Sequence, residues 1–139
     1  MSYEEKGTWT YLVTSLGVFV GYLLWLAARA DGAPLAEQPY VQPMLWAIGI
    51  SIVANVVGRV LFEIARPSES TTGDVRDRDI DRFGNLVGGL VLSVLVAGVL
   101  VLVMVEAAYF WLAHAIYAAF ILQVVTTSVV KLVVYRRGL

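Results

Sequence analysis

The chain of 139 residues has no cysteine, a single histidine and four prolines. The first absence removes disulfides, thiolate nucleophiles, cysteine-ligated iron–sulfur clusters and Cys-based zinc sites together. With His114 alone, no paired-histidine or H-E-x-x-H metal set can be assembled, and there is no glycine-rich nucleotide loop. No cofactor is expected. Charge is also scarce, at 15% of residues against about 25% in soluble domains. The net charge of -1 supplies no concentrated basic surface for a phosphate backbone, so direct nucleic-acid binding is not expected.

What fills the chain is apolar: 59% hydrophobic residues and a mean hydropathy of +0.76. The charges are bunched, leaving uncharged windows at 7–28, 38–58, 83–105 and 107–130. A helix needs about 20 apolar residues to cross a bilayer, and every window reaches that length. The expected fold is therefore all-α: one transmembrane domain over 1–139, with four spanning helices in an antiparallel bundle. The spans are placed at about 9–30, 43–65, 83–105 and 109–135, joined by a Gly32/Pro34/Pro39 loop, a charged loop at 66–82 and a tight turn at Glu106. The residues Glu4, Glu5 and Lys6 before the first span are net acidic, so it is read as a retained span and not a signal peptide.

Orientation follows from the cations. Lys6, Arg59, Arg66, Arg76, Arg78, Arg82, Lys131, Arg136 and Arg137 share one side of a four-span topology, and Arg29 alone falls on the other. The positive-inside rule then puts both termini and the 66–82 loop in the cytoplasm of a cell that carries the protein in its plasma membrane. Trp9, Tyr11, Tyr40, Trp46, Tyr109, Trp111 and Tyr135 near the span ends fit aromatic belts.

Within the spans, polar residues are few and costly, so they are the first candidates for a site. Ser51, Asn55, Arg59 and Glu63 lie at successive i,i+4 positions on the second span. The shift in sequence that carries Ser51 onto Gln123 also carries Asn55 onto Thr127 and Arg59 onto Lys131, and it carries Gly17-x-x-x-Gly21 onto Gly89-x-x-x-Ser93. The matches suggest two duplicated hairpins. The small pairs are expected to let helices approach closely, either within the bundle or between subunits of a homo-oligomer. The i,i+4 spacing of Arg59 and Glu63 makes them a candidate neutralising pair, and Arg59 either lines a cytoplasm-facing vestibule or snorkels to the headgroups. Glu106 and His114, brought near each other by the turn, form a candidate proton-linked pair, against the alternative of a packed ring.

The densest charge lies in the second loop, where Asp74, Arg76, Asp77, Arg78, Asp79, Asp81 and Arg82 crowd into nine positions. Three interleaved arginines would compete with any cation for the carboxylates, and the calcium-loop pattern is absent, so no metal is expected there. Pairs such as Asp74–Arg78, Arg78–Asp81 and Asp79–Arg82 would extend the third helix out of the membrane by about two turns as a solvated or partner-docking face.

Asp74-Val75-Arg76-Asp77, leading into Gly84-Asn85 and the third span, together with Lys131 to Gly138, resembles a family of small uncharacterised four-helix membrane proteins of bacteria and archaea. In that family the loop carries an acid where Val75 stands. The resemblance implies no biochemical activity, but proteins of that kind resemble companions of small helix-turn-helix regulators. The expected function is thus a non-enzymatic membrane protein that binds a cytoplasmic regulatory protein through the charged loop. The alternative is a small oligomeric transporter or channel using the polar stripes. Expected partners are the lipid bilayer, that regulatory protein and further copies of the chain.

Overall fold

A computed structural model describes residues 3–65 and 75–137; the side chains of Tyr3, Glu4, Phe62, Glu63 and Ala65 lie outside the description. Four long helices account for nearly all of it: α1 (Tyr3–Ala30), α2 (Val41–Ala65), α3 (Val75–Met104) and α4 (Tyr109–Arg137). A single 3₁₀ turn, Leu35–Glu37, punctuates the α1–α2 connection after Pro34. All four helices are long and apolar enough to cross a membrane. They also leave large apolar side chains uncovered, among them Leu24, Leu45, Trp46, Ile52, Leu86, Val94 and Leu100. Such a surface is stable in lipid and not in water, and the chain is a multi-pass helical membrane protein.

The expected spans are recovered with longer ends. Helix α1 starts two turns before Trp9, and α3 starts at Val75, about two turns ahead of the apolar stretch, where the paired charges place it. Helix α2 starts at Val41, so Pro43 sits in its first turn, where a missing N–H costs little. Of the aromatics near the span ends, Trp9, Trp46, Tyr109 and Trp111 are exposed as a belt would require, and Tyr11 is exposed as well. Tyr40 instead turns inward, edge-on to Phe110 at 5.2 Å.

Helix α4 lies at the centre of the arrangement. It packs against α3 on one side and α1 on the other, and α1 in turn packs against α2. Burial follows this order: Phe110, Tyr117, Ala119, Ile121, Val124, Thr127, Ser128, Leu132 and Val134 of α4 are all buried, whereas α3 buries only Ile80, Gly84 and Gly88. Contacts at successive turns run in opposite chain directions. Phe19 meets Tyr117 and Tyr22 meets His114 between α1 and α4. Ser15 meets Asn55 and Thr10 meets Gly58 between α1 and α2. Among the described residues α2 and α3 share no extensive interface, so the four helices form an arc whose α2–α3 side is the least packed.

One contact of the second hairpin has a near counterpart in the first. Moved back by the shift that relates Thr127 to Asn55, the Gly88–Thr127 contact falls on Leu16–Asn55, next to the observed Ser15–Asn55 bond. Two-fold symmetry does not extend to the whole molecule. An exchange of hairpins would turn the α1–α4 interface into an α3–α2 interface, and only the former is packed among the described residues.

The glycines correct one expectation. A Cβ at Gly17, Gly21 or Gly89 would meet nothing within 4 Å, and Ser93 is exposed, its hydroxyl donating to the Gly89 carbonyl at 2.9 Å. These four residues do not pack helices inside the molecule. The close approach is made earlier on α3, by Gly84-x-x-x-Gly88. A Cβ at Gly84 would stand 2.6 Å from Lys131 Cγ, and one at Gly88 would overlap the Thr127 hydroxyl. The reason is polar: Thr127 and Lys131 must turn away from lipid, and only a residue without a side chain leaves them room on the facing helix.

Candidate functional site: a polar cavity among four helices

The start of α1, the end of α2, the start of α3 and the end of α4 lie together at one end of the molecule, which also carries nearly all its cations and is called the basic end below. A cavity of about 410 Å³ opens there. Its walls come from all four helices: Thr8, Thr10 and Tyr11 of α1, Asn55 and Arg59 of α2, Asp81 and Asn85 of α3, and Gln123, Thr127 and Lys131 of α4. Gln123 and Lys131 are two helical turns apart, so the cavity follows α4 for about 12 Å, roughly from mid-membrane to the basic end.

The two polar stripes therefore converge on one space. Asn55 and Arg59 of α2 and Gln123, Thr127 and Lys131 of α4 all line it. Ser51 does not line it; its backbone carbonyl accepts from Asn55 Nδ2 at 2.8 Å, and the same nitrogen donates to Ser15 Oγ at 3.3 Å. Held from two sides, the Asn55 amide is a fixed wall of the cavity. Gln123 Nε2 donates to Thr127 Oγ1 at 3.4 Å across one turn of α4. The Glu63 side chain lies outside the described residues.

The electrostatics of the described lining reduce to three charges. Lys131 Nζ is 2.9 Å from Asp81 Oδ1, with the lysine side chain only 15% exposed. This pair is internally neutral. Asp81 thus bonds Lys131 across two helices, and not Arg78 along its own. Arg59 has no ion-pair partner among the described residues, which leaves their lining of the cavity one net positive charge. At the rim, Glu5 is buried and faces Arg136 at 3.9 Å.

Beyond the cavity, toward the other end, the molecule is closed by rings. Tyr22, Leu26, Met44, Ala47, Phe110, Tyr117 and Ile121 form the core cluster there. Phe110 and His114 stack at 4.0 Å, and Phe19 and Tyr117 meet edge to face at 4.9 Å. The His114 Nδ1 lies 2.7 Å from the Phe110 carbonyl oxygen and Nε2 lies 2.8 Å from the Tyr22 hydroxyl. A carbonyl only accepts, so Nδ1 carries the proton, and in the neutral ring Nε2 accepts from the tyrosine. Both ring nitrogens are occupied, which leaves none for Glu106.

Glu106 has a different task. With φ at 55° it is the left-handed residue that ends α3; its N–H donates to the Val103 carbonyl and that of Ala107 to Leu102. This is the Schellman arrangement, with a glutamate where glycine is usual. The expected proton-linked pair is not formed: Glu106 is exposed at the turn, and His114 faces inward among aromatic rings.

The charged loop is described only from Val75. Arg76, Arg78, Asp79 and Arg82 are exposed, Asp77 is half-buried and Asp81 faces the cavity; Asp74 lies outside the described residues. No group of acidic or histidine side chains able to hold a metal occurs among the described residues. Sequence reasoning missed two walls of the cavity: the Asp81-x-x-x-Asn85 spacing on α3 and the Thr8/Tyr11 spacing on α1 are further polar stripes at helical period. Both lie within reach of the same period that reveals the other two.

Against protein-family profiles, curated proteins and solved structures alike, the chain has no match.

Proposed function

We propose that the chain is a non-enzymatic plasma-membrane protein, with both termini and its basic end in the cytoplasm, that binds a small anionic group in the four-helix cavity as a small transporter or channel. One observation carries the reading: polar stripes from the two halves of the sequence line the same space, with Arg59 as the charge that no described residue neutralises. A guanidinium presents a fork of donors suited to phosphate or carboxylate. Asn55, Gln123, Thr127 and Asn85 add neutral donors around it, which is how sites fix the orientation of a polar ligand. The aromatic layer around Tyr22, His114 and Tyr117 closes the far side, so passage would require that layer to open.

The test is binding of inorganic phosphate and of carboxylates to the purified protein in nanodiscs, followed by flux into proteoliposomes. Arg59→Ala should weaken binding about tenfold, the loss expected for one charge-assisted hydrogen bond. Flux and binding indifferent to both Asn55→Ala and Arg59→Ala would end the reading.

A second reading rests on the exposed Arg76, Arg78, Asp79 and Arg82 on the turns of α3 that precede its apolar stretch. This face is suited to a cytoplasmic regulatory protein. Reversal of the three arginines to glutamate should abolish its capture while insertion persists; unchanged capture would remove the idea. Homo-oligomers are proposed through the outward face carrying Gly17 and Gly21, whose small residues no described part of the same chain covers.

A further inference from the structure

We propose that the occupant of the cavity comes from the bilayer, through the gap between α2 and α3, and is the phosphate headgroup of an anionic lipid. The proposal rests on the anion-binding reading and adds the source of the anion and its route.

Three observations carry it. First, the helices form an arc. Among the described residues α1 and α2 pack together, as do α1 and α4 and α3 and α4, whereas α2 and α3 share no extensive interface, yet residues of both line the cavity. The sparse contact between them leaves, among the described residues, an opening from the cavity to the lipid side. Second, both helices that flank the opening carry residues that line the cavity and are exposed, Val56 and Arg59 on α2 and Asn85 on α3, as are Gly7 and Tyr11 on α1. Around them α2 exposes Val53, Val57, Val60 and Leu61, and α3 exposes Phe83, Leu86 and Leu90. A ligand passing here needs an apolar part that stays among these side chains. Third, the described lining carries one net positive charge, from the exposed Arg59, beside the neutral hydrogen-bonding groups of Asn55, Asn85, Gln123 and Thr127. Arg59 stands before the last turn of α2, about 9 Å from its end, at the depth where a lipid phosphate tilted inward would meet it.

A solute arriving only from the aqueous side would need neither an open lateral edge nor apolar rims. A zwitterionic lipid would bring its own cation into a cavity that already carries one, so a headgroup ending in phosphate fits better.

The absence of cysteine makes the route testable. The Val56→Cys/Leu86→Cys variant, bridged across the gap with a bis-maleimide, closes the lateral edge without removing a polar group of the cavity and leaves the basic end open; Val56→Trp obstructs the same edge without a cross-link. In nanodiscs, phosphatidic acid with a photoreactive tail should label α2 and α3, and phosphatidylcholine with the same tail should label them about tenfold less. Closure of the gap should remove the phosphatidic acid labelling and spare the binding of inorganic phosphate. Labelling that survives both closures, or that is equal for the two lipids, overturns the proposal. Arg59→Ala separates the two levels: if it weakens phosphate binding while lipid labelling resists closure, lateral access fails and the anion site stands. If neither ligand responds to Arg59→Ala, the anion site fails and the proposal falls with it.

Discussion

Lys131 and Asp81 meet at 2.9 Å across α4 and α3, but unequally: the lysine side chain is 15% exposed and the aspartate 49%. The aspartate can keep its water if the pair is broken, and the lysine cannot. Asp81→Ala should therefore destabilise the protein by about 1–3 kcal/mol, the range for a buried charge that loses its hydrogen bond. Lys131→Met should cost less, since a shape of similar length replaces the ammonium. Thermal unfolding in detergent checks the order, and the double variant should recover much of the loss. A larger cost for Lys131→Met than for Asp81→Ala would contradict the assigned asymmetry.

Gly88 and Gly89 are adjacent in sequence and opposite in consequence. Gly88→Ala should force α3 off α4 and cost about 1–3 kcal/mol through overpacking against Thr127. Gly89→Ala meets nothing and should be neutral or slightly stabilising through helix propensity. Equal effects in a melting experiment would show that the close approach has been assigned to the wrong glycine.

Two tyrosines make a similar contrast. The Tyr22 hydroxyl is bonded to His114, whereas the Tyr117 hydroxyl is buried without a hydrogen-bond partner among the described residues. Tyr22→Phe should destabilise by about 1–2 kcal/mol by leaving the histidine nitrogen unsatisfied. Tyr117→Phe removes an unpaired polar atom and should be neutral or stabilising. A loss of stability in the second case would mean that a bound group satisfies that hydroxyl.

Glu106→Gly should stabilise the α3–α4 turn by up to about 1 kcal/mol, because glycine adopts the left-handed conformation without the steric penalty of a Cβ. The proton resonances of His114 should not change with it, and should change with Tyr22→Phe. A shift of the imidazole signals in Glu106→Gly would restore the proton-linked pair.

Topology has a direct test. Single cysteines at Gly32 and Asp79, in a chain that otherwise has none, should react with impermeant maleimide from opposite faces of the membrane. Labelling from the same face would reverse the orientation of half the molecule and with it the cytoplasmic placement of the cavity.

Much of this arrangement is legible in sequence for a physical reason. In a span, lipid tolerates any apolar side chain, so the few polar ones report the interior without competition; Asn55, Arg59, Gln123, Thr127 and Lys131 are found in this way. The same tolerance hides the neighbours. Leu86 and Leu90 of α3 face lipid and Val124 and Leu132 of α4 are buried, yet nothing in their chemistry separates them. Gly84 and Gly88 could be chosen over Gly89 and Ser93 only by asking which face the polar residues of the next helix must occupy. The histidine escaped for another reason: its nearest acid in sequence is Glu106, two turns away, whereas its actual partner, Tyr22, is 92 residues away on another helix.

The central place of α4 sets the order in which the molecule can assemble. It is the last of the four helices in the chain; α3 makes its largest interface with it, and α1 packs against it as extensively as against α2. While the chain is being made, the first hairpin and α3 would wait in the membrane as separate pieces, with the future cavity lacking the wall that carries Gln123, Thr127 and Lys131. Arrival of the final helix joins the pieces and completes that wall in one step. A chain interrupted in the α3–α4 turn would then still insert, yet would remain unassembled and without a site.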